Sequence, residues 1–63
     1  MIELMKKFSN AGFVLKGIDG TDKGDLFFFD GELPSHDVLA KVVGVKPYMV
    51  TSIGNANALH VSA

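Results

Sequence analysis

The sequence predicts an α+β fold in one small domain spanning residues 1–63. Three observations lead there: a helix-spaced apolar stripe at the N terminus, two β-rich runs around a dense turn signal, and a second, well-capped helix followed by β-branched residues. A chain of 63 residues buries only about 60% of the surface that its unfolded form exposes. With no cysteine in it, disulfides and thiolate metal sites are excluded, and association with a second copy or a partner is the expected supplement to its stability.

In chain order, Ile2, Leu4, Met5 and Phe8 recur at helical spacing, with Glu3, Lys6 and Lys7 between them. This predicts a short amphipathic helix over 2–9, stopped by Asn10 to Gly12. Phe13-Val14-Leu15-Lys16-Gly17-Ile18 and Asp25-Leu26-Phe27-Phe28-Phe29-Asp30 follow as two strands. The polar, glycine-rich run Asp19 to Gly24 between them predicts an antiparallel hairpin.

Within the second strand, Phe27 and Phe29 point to one face and Phe28 to the other. Two short helices can cover only one face of a small sheet, so Phe27, Phe28 and Phe29 are the expected partner or dimer interface. Leu33-Pro34-Ser35 then opens a second helix over about 36–43. Ser35 serves as N-cap, Asp37 complements the helix dipole, Leu39, Ala40 and Val43 form the apolar stripe, and Gly44 ends it.

The chain after Gly44 supports two readings. In the first, Leu39 to Ile53 resembles the helix-turn-helix of bacterial and phage regulators. Ala40 lies four positions before a turn glycine, Gly44, and Leu39, Val43, Val45, Val50 and Ile53 occupy the apolar packing positions. That resemblance implies a small DNA-binding regulator using residues 36–55, dimeric because a single module makes few contacts. Lys46, Tyr48, Thr51, Ser52 and Asn55 are then its DNA-binding residues. The absence of arginine counts against it, as does the β-branched character of the would-be recognition helix.

In the second reading, Val45 to Ile53 is a strand, Gly54 to Asn57 a turn and Ala58 to Ser62 its partner, with Leu59-His60-Val61-Ser62 alternating like a half-buried edge. Pro47 then requires an edge strand, or one that begins after it. The order becomes αββαββ, with both helices on one face of a four-stranded antiparallel sheet. The function that follows is a protein-binding module or inhibitor, docking on a larger protein through an aromatic sheet face.

Chemistry is poorly provided for. The stretch from Asp19 to Asp30 has a calcium-loop outline, but Thr21 and Lys23 stand where carboxylates or amides are needed. Ser35-His36-Asp37 holds the residue types of a triad in adjacent positions, which cannot point at one another. His36 and His60, the only histidines, share no helical turn, and no glycine-rich phosphate loop precedes a helix. The expectation is a non-enzymatic protein with no cofactor and no metal.

Charge is nearly balanced, with a net −1. Residues 1–33 carry four lysines against six acids, and residues 34–63 carry Lys41 and Lys46 against Asp37, so only the C-terminal half could face DNA. No apolar run reaches the length of a membrane span, and the lysines near the N terminus belong to an amphipathic pattern, not to a signal peptide. A soluble, cytoplasmic protein without membrane contact is expected.

Overall fold

The computed structural model describes residues 2–63. The first helix, α1, is Ile2–Asn10; strands β1 (Val14–Thr21) and β2 (Gly24–Asp30) form the hairpin; helix α2 is His36–Val43. A 3-10 turn at Pro47–Met49 leads into β3 (Val50–Ile53), and a second at Gly54–Ala56 leads into β4 (Ala58–Ser62). The architecture is αββαββ, and the four strands form one antiparallel sheet in the order β1-β2-β4-β3.

Both helices form where the residue pattern predicts, α1 one residue longer and α2 over the expected span. The Ser35 hydroxyl accepts a hydrogen bond from the Val38 N–H at 3.1 Å, satisfying a donor that the helix itself leaves free. At the other end Gly44 adopts a left-handed conformation with φ 90°. The N–H groups of Gly44 and Val45 both donate to the Ala40 carbonyl, at 2.8 and 2.9 Å, which closes the last turn.

The structure differs from the sequence expectations in three places. The hairpin turn is shorter than the Asp19–Gly24 run, because Asp19, Gly20 and Thr21 continue the strand and pair with Leu26, Asp25 and Gly24. Thr21 stabilises the tight turn by donating from Oγ1 to the Gly24 carbonyl at 2.7 Å and accepting from the Lys23 N–H at 3.2 Å. Second, of the two readings after Gly44 the strand is the one that forms, but it spans Val50–Ile53 and begins after a 3-10 turn at Pro47–Met49, not at Val45. Val50, Thr51 and Ile53 fit the pleat better than a helix, and the strand starts after Pro47 and lies at the sheet edge. Third, the C-terminal segment is a central strand and not an edge, pairing with β2 on one side and β3 on the other.

The core lies between the sheet and the helices. Phe8 of α1 and Leu39 and Ala40 of α2 pack on Leu15, Phe27, Phe29, Val50, Leu59 and Val61, all buried. Paired residues in the ladder, such as Leu15↔Phe29, Phe27↔Leu59 and Val50↔Val61, lie on one face of the sheet. Both helices therefore cover the same face. The Phe8 ring meets Phe29 edge to face, with centroids 5.1 Å apart, and Phe27 at a tilt, 6.4 Å apart; such pairs contribute about 1 kcal/mol beyond their burial. Ala40 matters here for its size, since a small side chain lets α2 approach the sheet.

Two residues at the junction of the hairpins bear most of the backbone constraint. Asn57 holds φ 49°, left-handed for a residue other than glycine. Its side-chain amide donates to the Phe29 carbonyl at 2.9 Å and the Gly31 carbonyl at 2.8 Å, while its own carbonyl accepts from the Phe29 N–H at 3.1 Å. Gly24 has φ 126°, and a methyl group there would run into the Val61 carbonyl oxygen.

Asn57→Ala is expected to lower the unfolding free energy by about 2 to 3 kcal/mol, combining two lost hydrogen bonds with left-handed strain. Asn57→Gly is expected to lose about 1 kcal/mol less, since the strain term vanishes. Urea denaturation of the two variants beside wild type measures the difference; equal losses would show that the conformation contributes nothing. Gly24→Ala is expected to cost roughly 2 kcal/mol or more in the same assay.

Candidate protein-binding surface

The face of the sheet opposite the helices is set by the same register. Across it run two rows, Gly17-Phe28-Ala58-Ile53 and Asp19-Leu26-His60-Thr51, each read from directly opposed residues on the four strands. Leu26, Phe28 and Ile53 are half-buried, and Ala58, between Phe28 and Ile53, is fully buried. Asp19 and Thr51 are exposed at the two ends of the second row, and His60, next to Thr51, is half-buried. The face thus has an apolar centre with polar groups along one side. No helix covers it.

The triple phenylalanine is thus divided between two roles. Phe27 and Phe29 are each 2% exposed and lie beneath the helices, so of the three residues expected at an interface only Phe28 is placed to meet a partner. The alternation of strand side chains already separates them. Which of the two faces the helices occupy is decided by Phe8 and Leu39 packing on the Phe27 and Phe29 side.

The residues named for DNA contact lie on the link after α2, on the two 3-10 turns and on β3. Lys46 is exposed in the extended link after Gly44, Tyr48 is 85% exposed on the 3-10 turn, and Asn55 is exposed on the next turn. Thr51 and Ser52 are neighbours on a strand and face opposite sides of the sheet. Thr51 sits opposite His60 on the helix-free face. Ser52 lies on the helix side, where its Oγ is 2.8 Å from His36 Nε2 in a hydrogen bond whose donor depends on the imidazole tautomer. That bond ties the start of α2 to β3 and accounts for both side chains without a ligand.

Sequence reasoning passed over Leu26, Ile53, Ala58 and His60 as surface residues. They become one patch only through the β2–β4 pairing, which joins segments distant in the chain. Among the described residues, no group of three or more His, Asp or Glu side chains is placed to hold a metal ion. No helix among them is long and apolar enough to cross a membrane. Comparisons with protein-family models, curated proteins and solved structures find no match to this chain.

The two faces should differ sharply in their tolerance of truncation. Phe27→Ala removes a ring from the closed core and is expected to cost roughly 3 to 5 kcal/mol, enough to leave a domain of this size largely unfolded. Phe28→Ala is expected to cost about 1 kcal/mol and to keep dispersed amide resonances in a proton–nitrogen NMR spectrum. Comparable losses at the two positions would contradict the assignment of faces.

Proposed function

We propose that this chain is a small, non-enzymatic protein-binding module that docks on a larger protein through the helix-free face of its sheet. Phe28 is the central anchor, and half-buried Leu26 and Ile53 are the flanking apolar contacts. The observation that carries this reading is the continuous apolar patch on a face that neither helix reaches. Aromatic anchors near the centre of such patches contribute most of the binding energy, while the polar rim sets orientation and excludes water. Asp19, Thr51 and His60 supply that rim.

This reading also accounts for the small size of the domain. Apolar surface that the two helices cannot cover gains its burial from the partner, and a bound partner raises the apparent stability of the folded form. The DNA-binding reading has less support, because its proposed recognition segment is a 3-10 turn and strand and two of its contact residues, Thr51 and Ser52, face opposite sides of the sheet.

The test is affinity capture from native lysate, with and without nuclease, by wild type, Phe28→Ser and Lys46→Ala. The expected result is a protein retained after nuclease treatment by wild type and Lys46→Ala and lost with Phe28→Ser. Capture that disappears with nuclease or with Lys46→Ala would favour nucleic acid and overturn the proposal. Sedimentation velocity on the purified chain provides the second arm. A wild-type dimer converted to monomer by Phe28→Ser would assign the face to a second copy instead.

A further inference from the structure

Among the described residues, His60 is the titratable side chain nearest the middle of the helix-free face. Its strand, β4, runs between β2 and β3, and in the ladder His60 stands opposite Leu26 on one side and Thr51 on the other. The diagonal positions on the same face are Phe28 and Gly24 of β2 and Ile53 of β3. The imidazole is half-buried although no helix lies over it.

The charged groups that share this face are remote from the ring. Asp19 belongs to the same row but stands on β1, two strands away, or about 10 Å at the usual strand spacing. Lys16 lies on β1 at the bulge beside Gly17, and Asp30 ends β2 on the far side of Phe28 from Leu26. β3 carries no titratable residue. Both helices, with their acids and lysines, pack on the opposite face. An imidazolium at position 60 therefore has water as its main stabilising partner.

A partner that rests on Leu26 and Phe28 of β2 and on Ile53 of β3 spans β4 and closes over His60. We infer that docking through the helix-free face, the function proposed above on which this step rests, is controlled by protonation of His60: the neutral imidazole permits docking and the imidazolium opposes it. Withdrawing water from a charged ring that has no carboxylate beside it is costly. The neutral ring, with one donor and one acceptor nitrogen, is covered at far smaller cost. The sign follows: docking releases the proton, so affinity is full at the alkaline end of the range in which an imidazole changes charge, about pH 5 to 8, and falls as the pH drops through it.

The test immobilises the full chain, loads it with nuclease-treated native lysate at about pH 8, and washes at about pH 5.5. The probe is the protein that wild type retains at the higher pH and Phe28→Ser does not. The acid wash is expected to lower its retention on wild type at least about tenfold, while His60→Gln, neutral at both values, holds it through the wash. Amide resonances of the free wild-type chain are expected to stay dispersed at about pH 5.5. Retention unchanged by acid would leave the docking reading standing and overturn this inference. Equal release from wild type and His60→Gln would also overturn it, by placing the titration on the partner, as would collapse of the dispersed spectrum, by placing it on the fold. Stronger retention in acid would reverse the sign and overturn it, since a carboxylate of the partner would then pair with the ring. Absence of any Phe28-dependent capture at the higher pH would remove the docking reading itself, and this inference with it.

Discussion

Because β4 lies between β2 and β3, the ladder from Gly24↔Ser62 to Phe28↔Ala58 is the pairing that joins the first hairpin to the C-terminal half of the sheet. Every other feature of the molecule assumes it. Without it, β3 and β4 form an isolated two-stranded unit of short strands, marginal in water, and α2 loses the floor of Leu59 and Val61 beneath it. The two constrained residues stand at the ends of this ladder. Gly24 permits the close approach of β4 at one end, and the Asn57 side chain binds the Phe29 and Gly31 carbonyls at the other. The pairing brings together segments far apart in the chain, so a large loop-closure entropy opposes it, and the hydrogen bonds of Asn57 help to offset that cost.

The same ladder makes the two faces unequal. Each strand offers side chains to both sides, but α1 and α2 have only nine and eight residues and both occupy one side. The buried face collects Phe27, Phe29, Leu59 and Val61 under Phe8 and Leu39; the other keeps Leu26, Phe28 and Ile53 half-buried, without a covering helix. The asymmetry therefore follows from helix length as much as from residue choice. An alternating strand with polar residues on its outer side would have produced an ordinary solvated face. Here the outer positions are mixed, with apolar Leu26, Phe28 and Ile53 beside polar Asp19, Thr51 and His60.

Local signals in the sequence were sufficient for the helices. Ser35, Asp37 and Gly44 mark the ends of α2 through side-chain capping and left-handed backbone, which act within one turn and need no tertiary context. The fate of Lys46 to Ile53 could not be settled in this way. Ala40 and Gly44 satisfy a helix-turn-helix spacing, yet the same two residues satisfy close packing of α2 on the sheet and a helix stop. Small size and tolerance of positive φ are all that either arrangement asks of them. What distinguishes the two is whether Val50 to Ile53 find a partner strand, and that depends on β4. The central place of β4 was hidden for a related reason: alternation in Leu59 to Ser62 reports which residues face the core but not how many neighbours the strand has. The helix-free patch was the least legible feature, since Leu26, Ile53, Ala58 and His60 share a surface only once the strand order is known.

The two edges of the sheet extend this argument from faces to sides. β3 has only four residues, begins after Pro47, and has Thr51 and Ser52 at its middle, so it offers a short and polar edge for any added strand. β1 has eight residues and an apolar flank supplied by α1. A bulge at Lys16 interrupts its pairing, beyond which Gly17 to Thr21, with exposed Asp19, continues in regular register. β1 is thus the longer and less blunted of the two edges.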